Sequence, residues 1–576
     1  PFLFKSLDPT MPHSLFSNSP STVATSVIAL LITLTTLSQA QSQEKKINSE
    51  SLFASDRITS IEIELPQKDW DFIRNQSRSF SESLGKETVE SPFEYVKGDV
   101  TIDGKKIEDV GIRKKGFLGS LNVERPSLKI RFDKYREQNP VDGLDRLTLN
   151  NNNQDPSRVC QYLSYKLFRE SGTRSPRCGF AKVSVNGNYL GIYSNVDSVR
   201  PLFLEREFGD GTGDCFEGTI TDFFPDWVKK FEAKNKKASY KDLKKIASAL
   251  ARPEPDQDEL KELLNLDAFI QFWAMESLIG FWDGYCSNQN NFFIYQDPKD
   301  SKFYFIPWGT DSAFTISFPI PPYRIQPKSA HAKAILPNKL YRIPEIQTQY
   351  FDTLEKFLDE HWNESRLLAE MDRLEAMLKE HVMPSNSKFS TSMNSFRRFI
   401  KNRRSSLVRE FKDAPPKLSS REKKPIYFAE TGNAKIEFST EWFNETPGYE
   451  IPVGNAKLEF SRDGKRVSLS NVTVYAEPSK APSRSRIKPP TIVISGKDEA
   501  SGKVLTIAVS IANDQFKPSE NNKVGVSGMF LVNGVFRPSQ MEMIDGTAIL
   551  DSASRVPGAP VEGKLEIKIR KMKTSN

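Results

Sequence analysis

At residue 413 the hydrophobic pattern of the chain changes its period. Upstream, "LLAEMDRLEAMLKEHV" (367–382) repeats its apolar residues at helical spacing. Downstream, "KLEFS", "TIVIS", "VLTIAVSI" and "LEIKIRKM" alternate apolar and polar side chains, the two-residue period of half-buried strands. One element cannot satisfy both periods, so two architectures must meet across "DAPPKLSSREKKP" (413–425), whose Pro, Ser and charge content is that of a linker. The segment 426–576 is predicted to be an all-β, sandwich-like module; it holds no concentrated acid or histidine cluster and is assigned binding, anchoring or packing.

The part before residue 413 is predicted to be α+β. "ITSIEIELP" reads as a strand and "QKDWDFIRNQ" as a short helix, and strands flank the Asp103-Gly104 turn. "RPSLKIRFDKY" places Leu128, Ile130 and Phe132 on one face of a strand and Lys129 and Arg131 on the other. Asp155 and Pro156 have the character of an N-cap and first helical residue for "DPSRVCQYLSYKLFRES". "FAKVSVNGNYLGIYSNV" reads as a hairpin about Asn186-Gly187. "LDAFIQFWAMESLIGFW" reads as a buried helix, and 351–412 as strongly helical.

With 576 residues, 38% apolar and 11% aromatic, the chain is long enough for more than one core. Its 81 basic and 74 acidic residues leave +7, too small an excess for this length to call for nucleic acid and compatible with phosphate-bearing or acidic partners. Lysines crowd "KKFEAKNKKASYKDLKK" (229–245), a solvated face or a docking surface for acidic substrate. Residues 21–40 carry an apolar core from Val27 to Leu37 and end Ser38-Gln39-Ala40, which predicts a signal peptide over 1–40, with 1–10 an upstream extension if Met11 is the start. The run is shorter than the ~20 apolar residues of a membrane span, the alternative reading. A polar stretch, 41–56, follows. The expected location is secreted, periplasmic or cell-surface, with no membrane span after signal removal. Cys160, Cys178, Cys215 and Cys286 lack C-x-x-C spacing, and four histidines outside the dense motifs argue against zinc or a Ser/His/Asp triad.

The candidate chemistry lies in "FWDGYCSNQNNFFIY" and "IPWGTDSAF". Asp283 and Asn288 fit D-x-x-x-x-N, a spacing that in phosphoryl-transfer enzymes holds a carboxylate at the attacking hydroxyl and an amide oxygen at a metal. "NFFIYQ" and "KFYFIP" read as a hairpin; with Asn291 opposite Pro307 it returns Asp311 to the neighbourhood of Asn288. A turn aspartate, an amide-capped loop and a strand-end aspartate explain the same letters. "GIRKKGFLGSLN" sets Arg113 and Lys115 beside Gly116, able to present cations and backbone N–H groups to phosphates, but Phe117 stands where a Walker loop needs Lys. Lys129 is the candidate phosphate-contacting lysine, with Arg125 and Arg131 as competitors.

Together "GIRKKGFLGS", "RPSLKIRF", the segment from "LTLNNNNQDPSRVC" to "NGNYLGIYSNVD", "FWDGYCSNQNNFFIY" and "FIPWGTDSAF" resemble, in order, the spore-coat protein H (CotH) kinase-like family. The resemblance covers 57–412 and implies an atypical protein-kinase domain that transfers the ATP γ-phosphate to protein Ser or Thr with Mg²⁺ or Mn²⁺. It implies Asp283 as the catalytic-loop aspartate, Asn288 and Asp311 as metal ligands, and Lys129 at the phosphates, with a surface or envelope protein as substrate. Two positions depart from the family pattern: Gly309 where PWDxD has its first acid, and Asp197 where a Glu is common. The loss at Gly309 and the C-terminal β module favour the alternative, a noncatalytic surface or coat-assembly protein that keeps the fold for binding.

Overall fold

Two strands laid side by side in parallel close the first sheet of this protein into a barrel. The computed structural model describes residues 46–315, 326–418, 421–443, 454–480, 488–519, 523–535 and 541–574. The barrel strands are β1 (Ile58–Glu64), β2 (Val96–Ile102), β3 (Lys105–Lys115), β4 (Ser127–Arg131), β5 (Arg146–Asn150), β6 (Cys178–Val185) and β7 (Asn188–Val196), in the order β1-β2-β3-β4-β5-β7-β6. β1 pairs parallel with β6, and every other pair is antiparallel. Alternation decides the faces: Leu128 and Ile130 of β4 are fully buried, while Lys129 takes the other face beside its β3 partner Arg113. Lys114, on the apolar side of β3, is buried too; its ammonium donates to the carbonyls of Arg74 (2.6 Å) and Gln76 (2.7 Å) at the end of the helix Gln67–Asn75, where carbonyls lack helical donors.

The expected hairpin at Asn186-Gly187 is present, both residues at positive φ as a tight two-residue turn requires. The helix expected from Asp155 begins later, at Cys160, and runs to Glu170. Asp155 caps from a distance: its carboxylate accepts the backbone N–H of Ser157 and of Cys160 (both 2.9 Å), which holds Pro156 outside the helix.

A second sheet follows, with order β11-β10-β8-β9 from β8 (Cys215–Gly218), β9 (Glu232–Ala233), β10 (Phe292–Gln296) and β11 (Phe303–Pro307). Its aromatic face and the buried helix Leu266–Leu278 share one core with the helices Pro344–Glu360, Glu364–Leu378 and Phe389–Phe411. The four cysteines are free and buried.

Beyond residue 425 nine strands, among the described residues, form one sheet: β12 (Ile426–Glu441), β13 (Asn455–Arg462), β14 (Lys465–Val467), β15 (Leu469–Pro478), β16 (Pro490–Asp498), β17 (Val504–Ile511), β18 (Val524–Val532), β19 (Glu542–Ser552) and β20 (Pro560–Thr574). The hydrogen-bonded order β14-β13-β12-β20-β19-β18-β17-β16-β15 is unbroken, so in place of two stacked sheets there is one, and it curls: Trp442 just past β12 bridges Ala476 of β15. The apolar face of the curl is its core. Residues 48–576 form one compact unit, and the curled sheet packs on the segment 77–88. There the Phe80 and Phe428 rings meet edge to face, and Arg570 pairs with Asp545 (3.1 Å), which also takes the Ser81 hydroxyl. Among the described residues no helix is long and apolar enough to cross a membrane, and the expected signal segment lies outside them.

Candidate active site

The loop carrying Asp283 is built from below by one buried acid. Glu276, wholly buried in the helix Leu266–Leu278, accepts the backbone N–H of Tyr285 (3.0 Å) and of Cys286 (2.8 Å), the first residues of the single helical turn Tyr285–Asn288. Burial pushes its carboxyl up to about 8, against the pull of those N–H groups. Glu276→Gln would turn an amide NH₂ toward a backbone N–H, leaving buried donors unmatched. Chemical denaturation is expected to show a loss of about 1–3 kcal/mol, with the loop the first region to open.

Asp283 is oriented by three amides. Its Oδ1 accepts from Asn288 Nδ2 (2.6 Å) and Asn290 Nδ2 (3.2 Å), and its Oδ2 accepts from Asn291 Nδ2 (2.9 Å). Burial raises its pKa, while these amides and the nearby Lys423 ammonium oppose the rise. Gln289 and Asn291 both take positive φ, which turns the chain sharply from the helical turn into β10.

The β10–β11 hairpin returns the second acid, with a register one residue from the expected one. Phe292, not Asn291, lies opposite Pro307, and the Trp308 N–H donates to the Asn291 carbonyl (3.0 Å). Asn291 therefore faces the Trp308-Gly309 turn. Asn288 belongs to the helical turn and stands behind Asp283, where its Oδ1 accepts from Lys423 Nζ (2.9 Å). The expected strand register ran too far back because 285–288 is coiled, not extended.

Asp311 lies in a short turn after left-handed Gly309 (φ +54°). No other described residue donates a hydrogen bond to its carboxylate, and burial together with the Asp283 and Asp155 carboxylates pushes it up to about 7. Asn291 Oδ1 also lacks a donor among the described residues. A Cβ built on Gly309 would come 2.6 Å from that oxygen, so Asn291 occupies the space of the side chain that the family pattern puts at 309.

One cleft of about 270 Å³ joins these groups to the barrel. Asp283, Asn290, Asn291 and Asp311 line it together with Arg113, Lys115, Gly116 and Lys129; Asn288, Arg125 and Arg131 do not. Arg125 instead donates to the Leu190 and Ile192 carbonyls, and Arg131 pairs with Asp133. Lys115 bonds Asn150 and lies 5.8 Å from the Trp308 ring centroid; burial lowers its ammonium to about 8. Lys129 is pushed well below the usual lysine range by burial and by the neighbouring Arg200, Arg113 and Lys115. Arg78, Arg200, Lys230 and Lys234 add to a lining in which cations outnumber the carboxylates of Glu217, Glu232, Asp283 and Asp311. Burial works against ionisation of Glu217, yet Lys234, with Lys129 and Arg200, holds its carboxyl below the usual range. Asp197 lies elsewhere, buried between Arg177 (2.9 Å) and Arg206 (2.6 Å).

Such a cleft suits a ligand with several negative charges at one end. The uncommitted oxygens of Asp311 and Asn291, beside the Asp283 carboxylate, fit a hard divalent cation that takes its remaining oxygens from water and phosphate. Among the described residues no cluster of three or more His, Cys, Asp or Glu forms a self-sufficient metal cage. Sequence reasoning missed Asn291, Glu276, Glu217 and Lys423. The lone Glu in the apolar run "FIQFWAMESLIGFW" was the one legible signal among them.

Inner spore coat protein H of Bacillus subtilis is 25% identical over 188 residues, which cover 30% of this chain and 51% of that protein. Spore coat protein homolog 1 of Rhizopus delemar is 22% identical over 234 residues, 37% of this chain and 38% of that protein. The chain thus spans about half or less of these relatives. The Helicobacter pylori proinflammatory kinase CtkA matches 49% of this chain and 93% of its own at 9% identity, with a TM-score of 0.22, and no geometry is carried over from it. Residues 112–407, just over half of the chain and inclusive of every cleft residue proposed from the sequence, match the family described as CotH kinase protein. The chain belongs to the CotH kinase protein family.

Proposed function

We propose that this chain is an exported atypical protein kinase that transfers the γ-phosphate of ATP to a serine or threonine of a protein substrate. The observation that carries the reading is a half-buried carboxylate that no other described residue bonds, Asp311, beside an amide-oriented carboxylate, Asp283, on one wall of a basic cleft. Asp283 accepts the proton of the attacking hydroxyl, its lone pairs held in place by three amides. Asp311 and Asn291 would hold the divalent metal, Mg²⁺ or Mn²⁺, with Asn288 acting through Asp283. When bound, that metal neutralises charge on the transferring phosphoryl group. Lys115, Lys129 and Arg113 neutralise the phosphates from the barrel side, and Gly116, at φ +137°, lets backbone come close to them.

Gly309 favours a second reading, a binding protein of the surface or a coat that retains the cleft without catalysis. Two measurements separate the readings. Purified protein with labelled ATP and Mg²⁺ or Mn²⁺ is expected to label itself or a generic protein substrate. Thermal unfolding with ATP at about 100 times its Kd is expected to show roughly 2.7 kcal/mol of metal-dependent stabilisation. No label and no shift at millimolar ATP would support the binding protein instead.

A further inference from the structure

The residues between the last helix and the curled sheet have a linker's composition, but Lys423 is half-buried against the kinase-like part of the chain, beyond the segment 112–407 that matches the family. Its backbone N–H donates to the Lys333 carbonyl (2.7 Å), and its carbonyl accepts from Gln289 Nε2 (2.8 Å). Its ammonium donates to Asn288 Oδ1 (2.9 Å) and to the Asn288 carbonyl (3.3 Å). An ammonium has donors and no acceptor, so an asparagine facing it must present its oxygen. The Asn288 NH₂ is thereby turned to Asp283, 2.6 Å away. Without Lys423 the Asn288 oxygens lose their donor, and the helical turn that carries the amide is tied to the connection by one hydrogen bond fewer on each of them.

We propose that Lys423 is a positioning residue for Asp283, so that the loop of the candidate base is completed by the connection to the C-terminal sheet. The same connection reaches the opposite wall of the cleft. Phe428 donates its N–H to the Leu84 carbonyl (3.0 Å) and packs on Phe80, in the segment whose Arg78 and Ser83 line the cleft. Between Lys423 and Phe428 the chain thus ties both walls together, which gives the C-terminal module a part in the site as well as any binding role.

The role of Asp283 as base rests on the proposed kinase activity; the bridge itself does not. The test uses the full chain as Lys423→Met, Lys423→Arg and Asn288→Leu, with hydrogen exchange read by mass spectrometry and ATP kinetics read alongside. Lys423→Met is expected to speed exchange in 284–290 by about threefold or more while β12–β20 stay unchanged. It should lower kcat about tenfold with KM for ATP within about twofold. Lys423→Arg should restore both. Asn288→Leu, which cuts the bridge from the loop side, should give the same exchange signature and decides alone if Lys423→Met does not fold. Unchanged loop exchange in the variants, or a loss that Lys423→Arg leaves in full, overturns the proposal. A wild-type chain that transfers no phosphate overturns the kinase reading, and the exchange result then still decides the bridge.

Discussion

Asp311→Asn is expected to lower phosphoryl transfer by about 10³-fold or more while leaving the metal-free protein at least as stable as the wild type near pH 7. The first effect follows from removing the charged oxygen proposed to hold the metal, a change that costs several kcal/mol of transition-state stabilisation, on the order of the largest single electrostatic contributions. The second follows from the state of that oxygen in the free protein. Burial and the neighbouring Asp283 and Asp155 raise its pKa from the ordinary carboxylate value to about 7. In that window Asp311 holds more of its proton in the folded chain than in the unfolded one, so its own contribution to the stability of the metal-free protein falls as pH rises from roughly 4 to 7. The asparagine variant lacks that loss, and a comparison of unfolding midpoints at pH 5 and pH 8 reads it directly. Metal binding has the opposite slope, since the ligand must be ionised. Metal-dependent stabilisation of the wild type should therefore grow from pH 6 to pH 8 and be absent in the variant.

Asp283→Ala is expected to lower kcat by about 10²–10⁴-fold, with KM for ATP little changed, because the proposed base touches the attacking hydroxyl and not the nucleotide. Its effect on stability has the opposite sign to that of Asp311→Asn. The Asp283 carboxylate is the common acceptor for Asn288, Asn290 and Asn291, and it lies opposite the half-buried Lys423 ammonium. Alanine removes that acceptor from Asn288 and Asn290 and leaves Asn291 only the residue 283 carbonyl, at a cost on the order of 1–3 kcal/mol, measurable by denaturant unfolding. Two carboxylates a few residues apart in the fold are thus distinguished by what surrounds them. One is the hub of a network, and the other is bonded by no other described residue.

That difference is also why one acid of the pair was easier to place from sequence than the groups around it. Alternation in β4 fixed which face Lys129 takes, and the hairpin "NFFIYQ…KFYFIP" was readable because its β propensity and its turn agree. The return of Asp311 toward Asp283 followed from them. The exact partner did not follow, because a single helical turn at 285–288 draws Asn288 back and moves the register by one residue. Local letters cannot show that the turn is nucleated by Glu276, which lies on the preceding helix. Lys423 was illegible for another reason. Surrounded by Ser, Glu and Pro, a lysine reads as solvated, and only the approach of the connection to the loop half-buries it. The C-terminal strands were legible and their joining into one continuous curled sheet was not, since alternation specifies one apolar face without stating what that face folds against.

A structure of the wild-type chain with Mn²⁺ and a non-hydrolysable ATP analogue tests the central claim most directly. The expected result is an anomalous scattering peak within coordination distance of Asp311 and Asn291 Oδ1, phosphates directed at Lys115 and Lys129, and Asp283 Oδ2 open toward the γ-phosphate. Nucleotide bound with its metal away from Asp311, or a cleft that stays empty at saturating ligand, would contradict it.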